Sequence, residues 1–164
     1  MSRIKKIVFA ALAAAALTGA FGAVHLDRPV QGSSSVSASI QSSAASEVVR
    51  LTNSARSQNG YAALVEDGAL SEAAAVRARE IARSFSHTRP SGASFSSALS
   101  ESGVSYLRAG ENIASGQKSA FEVVNAWMNS PGHRANILNS SYSRIGSASV
   151  NIDGTLYWVQ LFAD

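Results

Sequence analysis

Two histidines and one glutamate are the residues of this sequence best suited to chemistry. His87 and His133 each follow a helix-like segment and lie among turn residues, and Glu111 has small or apolar neighbours. An imidazole can gain or lose a proton near neutral pH, and a carboxylate in apolar surroundings must be paired or face a polar cavity. We therefore predict that His87, Glu111 and His133 line one ligand-binding cavity. The alternative is that the histidines are structural and that Glu111 braces its loop by accepting backbone N–H groups.

The same three residues allow two kinds of catalysis. In a hydrolase, Glu111 or a histidine would act as the general base, so the catalytic set would be His87, Glu111 and His133. Two neutral imidazoles could also hold zinc, with His87 and His133 as ligands, although no short-spaced ligand pair such as HExxH is present. A serine hydrolase would need Ser86 or Ser130 as nucleophile, but the sequence contains no nucleophile elbow. The only cofactor suggested is therefore a divalent metal such as zinc.

The segment from Ser119 to Asn139 is expected to position His133. Ser119 and Glu122 predict a capping box at the start of a helix, and apolar residues at helical spacing lead to Trp127 as a core anchor. Pro131 disfavours a helical conformation at the residue before it and is expected to end this helix. His133 should then be presented by a type II turn.

Four neighbouring residues are predicted to support the site. They could orient His133 or a ligand, and two of them, Arg134 and Asn136, could equally brace the turn by donating to backbone carbonyls, which we favour. The four residues are Asn112, Ser130, Arg134 and Asn136.

Three separated motifs carry a family resemblance: Phe-Ser-His-Thr at 85–88, Gly-Glu-Asn-Ile-Ala at 110–114 and Trp-Met-Asn-Ser-Pro-Gly-His-Arg-Ala-Asn-Ile-Leu at 127–138. In this order they resemble the bacterial extracellular branch of the CAP superfamily, which includes cysteine-rich secretory, antigen 5 and pathogenesis-related 1 proteins and is also called the SCP domain. The resemblance implies a central cavity lined by two histidines and acidic residues, with His87, Glu111 and His133 at three of those positions. Eukaryotic members carry a second glutamate where Ser130 stands here. A mechanism that needs two carboxylates is therefore not supported.

The remaining pattern predicts an α+β fold. One helix should be capped by Ser46, and a longer one should follow Asp67-Gly68, with Arg77, Arg79, Glu80 and Arg83 on its solvent face. Asp153-Gly154 predicts a hairpin whose second strand, 155–162, is apolar on both faces and must be covered on both. We predict a three-layer α-β-α sandwich with a largely antiparallel central sheet, and the resemblance implies the same architecture.

Three regions are expected along the chain. Residues 1–23 have the basic start, apolar run and small residues of a secretory signal peptide. Residues 24–46 are rich in serine and alanine and are predicted to be a flexible spacer. Residues 47–164 form the CAP (SCP) domain.

Charge and cysteine content limit the partners and the compartment. Removing Arg3, Lys5 and Lys6 with the signal leaves 11 basic against 11 acidic residues, so no nucleic-acid partner is indicated. There is no cysteine, which excludes disulfides and lipid attachment through cysteine. The membrane is expected to be contacted only through the signal segment. The protein should be secreted, and extracellular or associated with the cell envelope.

These expectations favour a binding module over an enzyme. The cavity would take a small ligand, a lipid, a peptide, another cell-envelope component or a divalent ion. The first alternative is a hydrolase, metal-free or metal-assisted, that uses the same cavity residues; a bound metal would activate the attacking water. The second alternative is an envelope protein that acts through its outer surface and not through the cavity.

Overall fold

The structure, a computed structural model, describes residues 32–164, apart from the side chains of residues 32–40 and 42. The predicted signal peptide and residues 24–31 of the predicted spacer lie outside this range. Nine elements follow one another within it: α1 (Gly32–Gln58), β1 (Val65–Glu66), α2 (Gly68–Arg83), α3 (Ser96–Glu101), β2 (Ala109–Ser115), α4 (Ala120–Met128), α5 (Pro131–Ile137), β3 (Arg144–Ile152) and β4 (Thr155–Ala163).

The four strands form one mixed sheet in the order β1-β3-β4-β2. β4 pairs antiparallel with β3 on one side and with β2 on the other, whereas the two-residue β1 runs parallel to β3. The β3–β4 hairpin turns at Asp153 (φ 50°) and Gly154 (φ 81°), the two left-handed residues that a tight hairpin turn requires. The sheet is thus largely antiparallel, with one parallel edge.

Helices cover both faces of this sheet. One core cluster joins α1, α4 and α5 to Trp158 and Phe162 of β4, and the other joins α2 and α3 to Val159 and Leu161 of the same strand. Because alternate residues of a strand point to opposite faces, one apolar strand serves both clusters. The predicted α+β sandwich of three layers is confirmed.

The first helix begins earlier than expected. α1 starts at Gly32, so residues 32–46 are helical, and Ser46 lies inside the helix and not, as predicted, at its cap. The division of the chain into a spacer and a domain stays a prediction. No proline or glycine interrupts the serine- and alanine-rich run after Gly32, so nothing in it stops a helix that is anchored further along. That anchor begins at Ala44, which packs against the first core cluster together with Leu51.

Two local expectations around the predicted site also differ from the structure. The Gly110–Ala114 motif is the interior of β2 and not a loop, and a Cβ at its glycine would lie 2.6 Å from the Tyr142 hydroxyl, which would have to shift. Pro131 is the first residue of α5, where its missing N–H has no intrahelical partner to lose. His133 therefore lies in the first turn of α5 and not in a type II turn.

Within residues 32–164, no helix combines the length and the hydropathy needed to cross a membrane.

Candidate functional site

Glu111 is buried behind the site and is paired with Arg77, which we predicted to lie on the solvent face of its helix. Both side chains are fully buried. Arg77 Nε donates to Glu111 Oε1 at 2.7 Å, and Arg77 Nη2 donates to Oε2 at 3.3 Å. A two-pronged pairing of this kind compensates two charges that would each be costly to bury alone. Arg77 is therefore a core residue of α2, and its prediction as part of a solvated face is wrong.

Arg77 also holds the loop that carries His87. Its Nη2 donates to the backbone carbonyl of Ser86 at 2.7 Å, and its Nη1 donates to Glu80 at 2.6 Å. Glu80 is shared with Arg89 of the same loop at 2.8 Å, and Arg89 reaches Glu101 of α3 at 2.6 Å. Burial raises the pKa of Glu80, but the hydrogen bonds from Arg89 and Arg77 outweigh it, and the pKa is lowered overall. The loop is thus clamped between α2 and α3 by ion pairs.

His87 is held through one ring nitrogen. Its Nδ1 lies 2.7 Å from Glu111 Oε2, while 57% of the side chain is exposed. A carboxylate only accepts hydrogen bonds, so Nδ1 carries a proton and Nε2 is left for other partners. The arrangement presents an oriented Nε2 on the exposed ring, where it donates a hydrogen bond when the ring is protonated and accepts one, or ligates a metal, when the ring is neutral.

His133 is a second imidazole, and it is less exposed to solvent than His87. It is half-buried in α5, and burial together with the nearby charge of His87 lowers its pKa from 6.5. A pKa below 6.5 keeps His133 mostly neutral at pH 7.

The backbone of His133 is tied into a buried polar network. Asn112 donates to the His133 carbonyl at 3.2 Å and to Gln160 at 3.1 Å, and Gln160 donates to Thr52 of α1 at 2.6 Å. Asn136 donates to the Glu111 carbonyl at 3.2 Å and to Asn112 at 2.9 Å. The network joins α5 to β2, β4 and α1, so Asn112 and Asn136 position the site by bracing its backbone.

The other two predicted supporting residues have different surroundings. Arg134 is exposed and donates to Asn59 at the end of α1, at 2.9 Å, and not to a backbone carbonyl. Ser130 is the N-cap residue of α5 without a side-chain capping bond, and it borders the cleft described next.

An open cleft of about 390 Å³ lies in front of His133. Its lining combines apolar and polar side chains: Phe85, Ile113, Ala114, Ser115, Gln117, Ala126, Trp127, Ser130 and His133. Glu111 and His87 are not part of this lining. The three predicted residues thus have different surroundings: His133 is in the cleft wall, His87 is in the loop that follows the cleft residue Phe85, and Glu111 is buried behind His87.

The helix that forms one wall begins largely as expected. Ser119 accepts from the Glu122 N–H at 3.2 Å, and Trp127 is 1% exposed. The Glu122 carboxylate accepts from the N–H of Lys118 at 2.8 Å, one residue before the position that a capping box would use. This cap fixes where α4 starts and hence where Trp127 meets the cleft.

The residues around the cleft offer few metal ligands. Both Glu111 oxygens are engaged by Arg77 and His87, and residues 32–164 contain no group of three or more histidine, cysteine or acidic side chains placed to hold an ion. A catalytic zinc usually has three protein ligands, whereas the described residues around the cleft offer only His87 and His133. These residues do not form a resident zinc centre by themselves.

Sequence comparisons extend over most of the described chain. The profile of the CAP family, "Cysteine-rich secretory protein family", matches residues 49–162. The Bacillus subtilis protein YkwD is 42% identical over 118 residues, which are 71% of this chain and 45% of that protein. The Bacillus subtilis membrane protein YlbC is 33% identical over 120 residues, or 72% of this chain and 34% of that protein. The chain therefore spans less than half the length of either relative.

Solved structures give the same picture of the fold. An extracellular SCP-domain protein of Bacillus anthracis superposes with a TM-score of 0.72 at 25% identity, covering 84% of this chain and 45% of that one. An outer surface protein of Borrelia burgdorferi gives a TM-score of 0.66 at 26% identity, covering 71% of this chain and 89% of that one. A cysteine-rich secretory protein of Staphylococcus aureus gives 0.64 at 23% identity, covering 84% and 40%, and supports the fold alone.

Proposed function

Because the chain belongs to the CAP (cysteine-rich secretory protein) family, we propose that it is an exported binding module that holds a small ligand in the cleft beside His133 and His87. One observation carries this proposal. The buried pair of Arg77 and Glu111 holds the exposed His87 ring in a loop whose Phe85 lines the open cleft, and such rigid presentation of a polar group is typical of binding sites.

The cleft favours a ligand with an apolar body and a polar head. Phe85, which is 55% exposed, offers most of the apolar surface, because Ile113 and Trp127 are 5% and 1% exposed and reach the cleft only at their edges. His133 in the cleft wall and Nε2 of His87, two residues after Phe85, offer hydrogen bonds. Among the ligand classes expected from the sequence, a lipid or a small amphipathic molecule meets both requirements.

The surroundings of the imidazoles support binding over hydrolysis. In the described residues, no hydroxyl is hydrogen-bonded to either ring, and the Ser86 hydroxyl instead accepts the N–H of Thr88 at 3.0 Å. A nucleophilic serine needs a base within hydrogen-bond reach. A metal-activated water would have only two protein ligands holding its ion.

Export is supported by the pattern of the N-terminus and by the relatives. Residues 1–23 carry the features of a secretory signal peptide. One structural neighbour is described as extracellular and another as an outer surface protein. The absence of cysteine means that the exported domain is held together by packing and polar contacts.

Native mass spectrometry of the protein secreted by cells expressing the full chain tests the proposal. We expect a retained small molecule that is lost in His133→Ala and in Ala126→Trp, a change that fills the cleft without replacing an imidazole. Arg79→Ala, an exposed change on the far side of the sheet, is the control and should retain it. A wild-type protein with no bound molecule, or one whose molecule survives both variants, would contradict the proposal. Hydrolysis of a chromogenic ester that is lost in His87→Ala would favour the enzyme instead.

A further inference from the structure

The outer edge of β3 is only partly covered by another strand. β1 pairs with β3 at Val65↔Arg144 and Glu66↔Ile145 and then ends, because Asp67 caps α2 by accepting from the Leu70 N–H. Residues 147–152 of β3 have β4 on one side and no strand on the other among residues 32–164. A sheet edge of this kind presents unpaired backbone groups.

The hydrogen bonds between β1 and β3 show in which direction the unpaired backbone groups of β3 point. The Val65 N–H donates to the Ser143 carbonyl and the Asp67 N–H donates to the Ile145 carbonyl, both at 2.9 Å. Backbone groups alternate in direction along a strand, so Ser147 and Ser149 present their N–H and C=O groups along this same outer edge. A further strand could continue the line of β1 by pairing with them.

A groove of about 320 Å³ runs beside this edge. Its floor includes Ser147 and Ser149, and its walls include Ala45 of α1 and Ala75 of α2. A groove of this volume has room for a backbone with small side chains and too little for several large ones. The groove therefore fits an extended chain better than a helix.

Two features of the groove offer contacts to a ligand: carboxylates without an ion-pair partner and a buried hydroxyl without a hydrogen-bond partner. Glu66 and Glu72 border it, both are exposed, and neither has an ion-pair partner in the part of the chain that the structure describes. The Ser149 hydroxyl is buried, with the residue 8% exposed, and has no hydrogen-bond partner among the described residues. A buried polar group without a partner is costly, and a ligand that supplied one would relieve that cost.

We propose that this groove binds an extended peptide as an additional strand parallel to β3. The peptide would have small side chains where it passes Ala45 and Ala75, and a lysine or arginine facing Glu66 and Glu72. Backbone pairing would supply affinity and the two carboxylates would select the basic residue. The groove lies at the β1–β3 edge of the sheet, whereas the cleft lies by β2 at the other edge, so this site is independent of the proposed ligand cleft.

An NMR titration of the ¹⁵N-labelled secreted protein tests this inference. The probes are acetylated and amidated alanine–serine hexapeptides in which a single lysine is moved from one position to the next. We expect at least one to shift the amide signals of residues 147–151. Methylating alternate backbone nitrogens of that peptide should weaken binding by about tenfold or more, because its charge is kept while its pairing hydrogen bonds are lost.

A charge-matched pair of variants separates the groove from general attraction. Glu66→Gln with Glu72→Gln should weaken binding by about threefold or more. Ser57→Lys with Ser100→Lys changes the net charge equally at exposed positions elsewhere and should have much less effect. The inference is overturned if no peptide shifts residues 147–151 at millimolar concentration, or if the methylated peptide binds equally well. It is also overturned if the edge is occupied by a second copy of the chain, seen as concentration-dependent dimerisation.

Discussion

Arg77 illustrates what spacing alone can and cannot indicate about a charged residue. Its charge predicts a place on the solvent face of α2 with Arg79, Glu80 and Arg83. Its spacing predicts the opposite, because it follows Ala74 by three residues and precedes Ile81 by four, and both of these are buried. The sequence therefore contained a signal that Arg77 faces the core. Its partner could not be predicted, because Glu111 lies 34 positions away and meets Arg77 only when β2 packs beneath α2.

Replacing Arg77 tests the buried ion pair. Arg77→Met leaves Glu111 buried without its partner, and we expect the free energy of unfolding to fall by about 3–5 kcal/mol. Urea denaturation measures this. Arg79→Met, an exposed change two residues further along, should alter it by less than about 0.5 kcal/mol. The double variant Arg77→Met with Glu111→Leu should be more stable than Arg77→Met alone, and a double variant that is less stable would contradict the pairing.

His133 should titrate at a lower pH than an ordinary histidine. Burial and the charge of His87 both disfavour its protonated form, so its pKa lies below 6.5. Replacing His87 by alanine removes the second cause and should raise the pKa of His133 part of the way. NMR titration of the imidazole signals measures both values. A pKa of His133 at or above 6.5, or one that falls in His87→Ala, would show that the rings are not arranged as described.

The same shift predicts a pH dependence of stability. The folded protein binds the His133 proton more weakly than the unfolded chain, so stability is lost as the pH falls through 6.5 towards the folded pKa. The lowered pKa of Glu80 predicts a separate loss at more acidic pH, below its ordinary 4.5. Thermal unfolding measured from about pH 7 down to about pH 3 should show the first loss in the wild type but not in His133→Asn, while the second persists in both.

Among the secondary-structure elements, those with strong local signals were predicted and those that depend on distant partners were not. The β3–β4 hairpin, α2 and the start of α4 were all anticipated from turn residues, caps and periodicity. The short motif around Glu111 has no alternation of polar and apolar residues, and it becomes a strand only because β4 pairs with its whole length. The helical stretch before Ser46 likewise depends on the anchoring of α1 by the core.

The contact between α2 and β3 depends on one glycine. A Cβ at Gly146 would collide with backbone atoms of Leu70 and Ser71, so α2 would have to move away from the sheet. We expect Gly146→Ala to lower the free energy of unfolding by about 3 kcal/mol. Gly68→Ala is the matched control, since a Cβ there meets no atom within 4 Å, and it should change stability by less than about 1 kcal/mol. Equal effects of the two changes in chemical denaturation would contradict the packing.

For the molecule as a whole, the three-layer sandwich and its family could be predicted from the sequence, but the separate roles of the site residues could not. Three motifs indicated that His87, Glu111 and His133 come together. Only the packing of α2, β2 and α5 reveals that Glu111 is a buried support for His87 while His133 borders the cleft. Residue types constrain which chemistry is available, whereas burial decides which residue can contact a ligand.

Truncation tests how much of α1 the fold requires. The described core contacts of α1 begin at Ala44, and Val48 and Val49 are 0% and 5% exposed. A chain beginning at Ala44 should therefore keep a cooperative thermal transition. A chain beginning at Arg50 loses both valines, each worth about 2 kcal/mol of burial, and should unfold at a much lower temperature or fail to fold. Circular dichroism distinguishes these outcomes, and indistinguishable transitions would mean that the start of α1 does not belong to the core.

The central claim is that two imidazoles, one of them held by the buried carboxylate, meet a ligand at one cleft. Imidazole nitrogen NMR of the secreted protein tests it most directly, first with its bound molecule and then after that molecule has been removed by unfolding and refolding. We predict that the ring signals of both His87 and His133 move on removal, while the Nδ1–H of His87 stays hydrogen-bonded to Glu111. Ring signals that stay unchanged, with shifts confined to other parts of the protein, would contradict the claim.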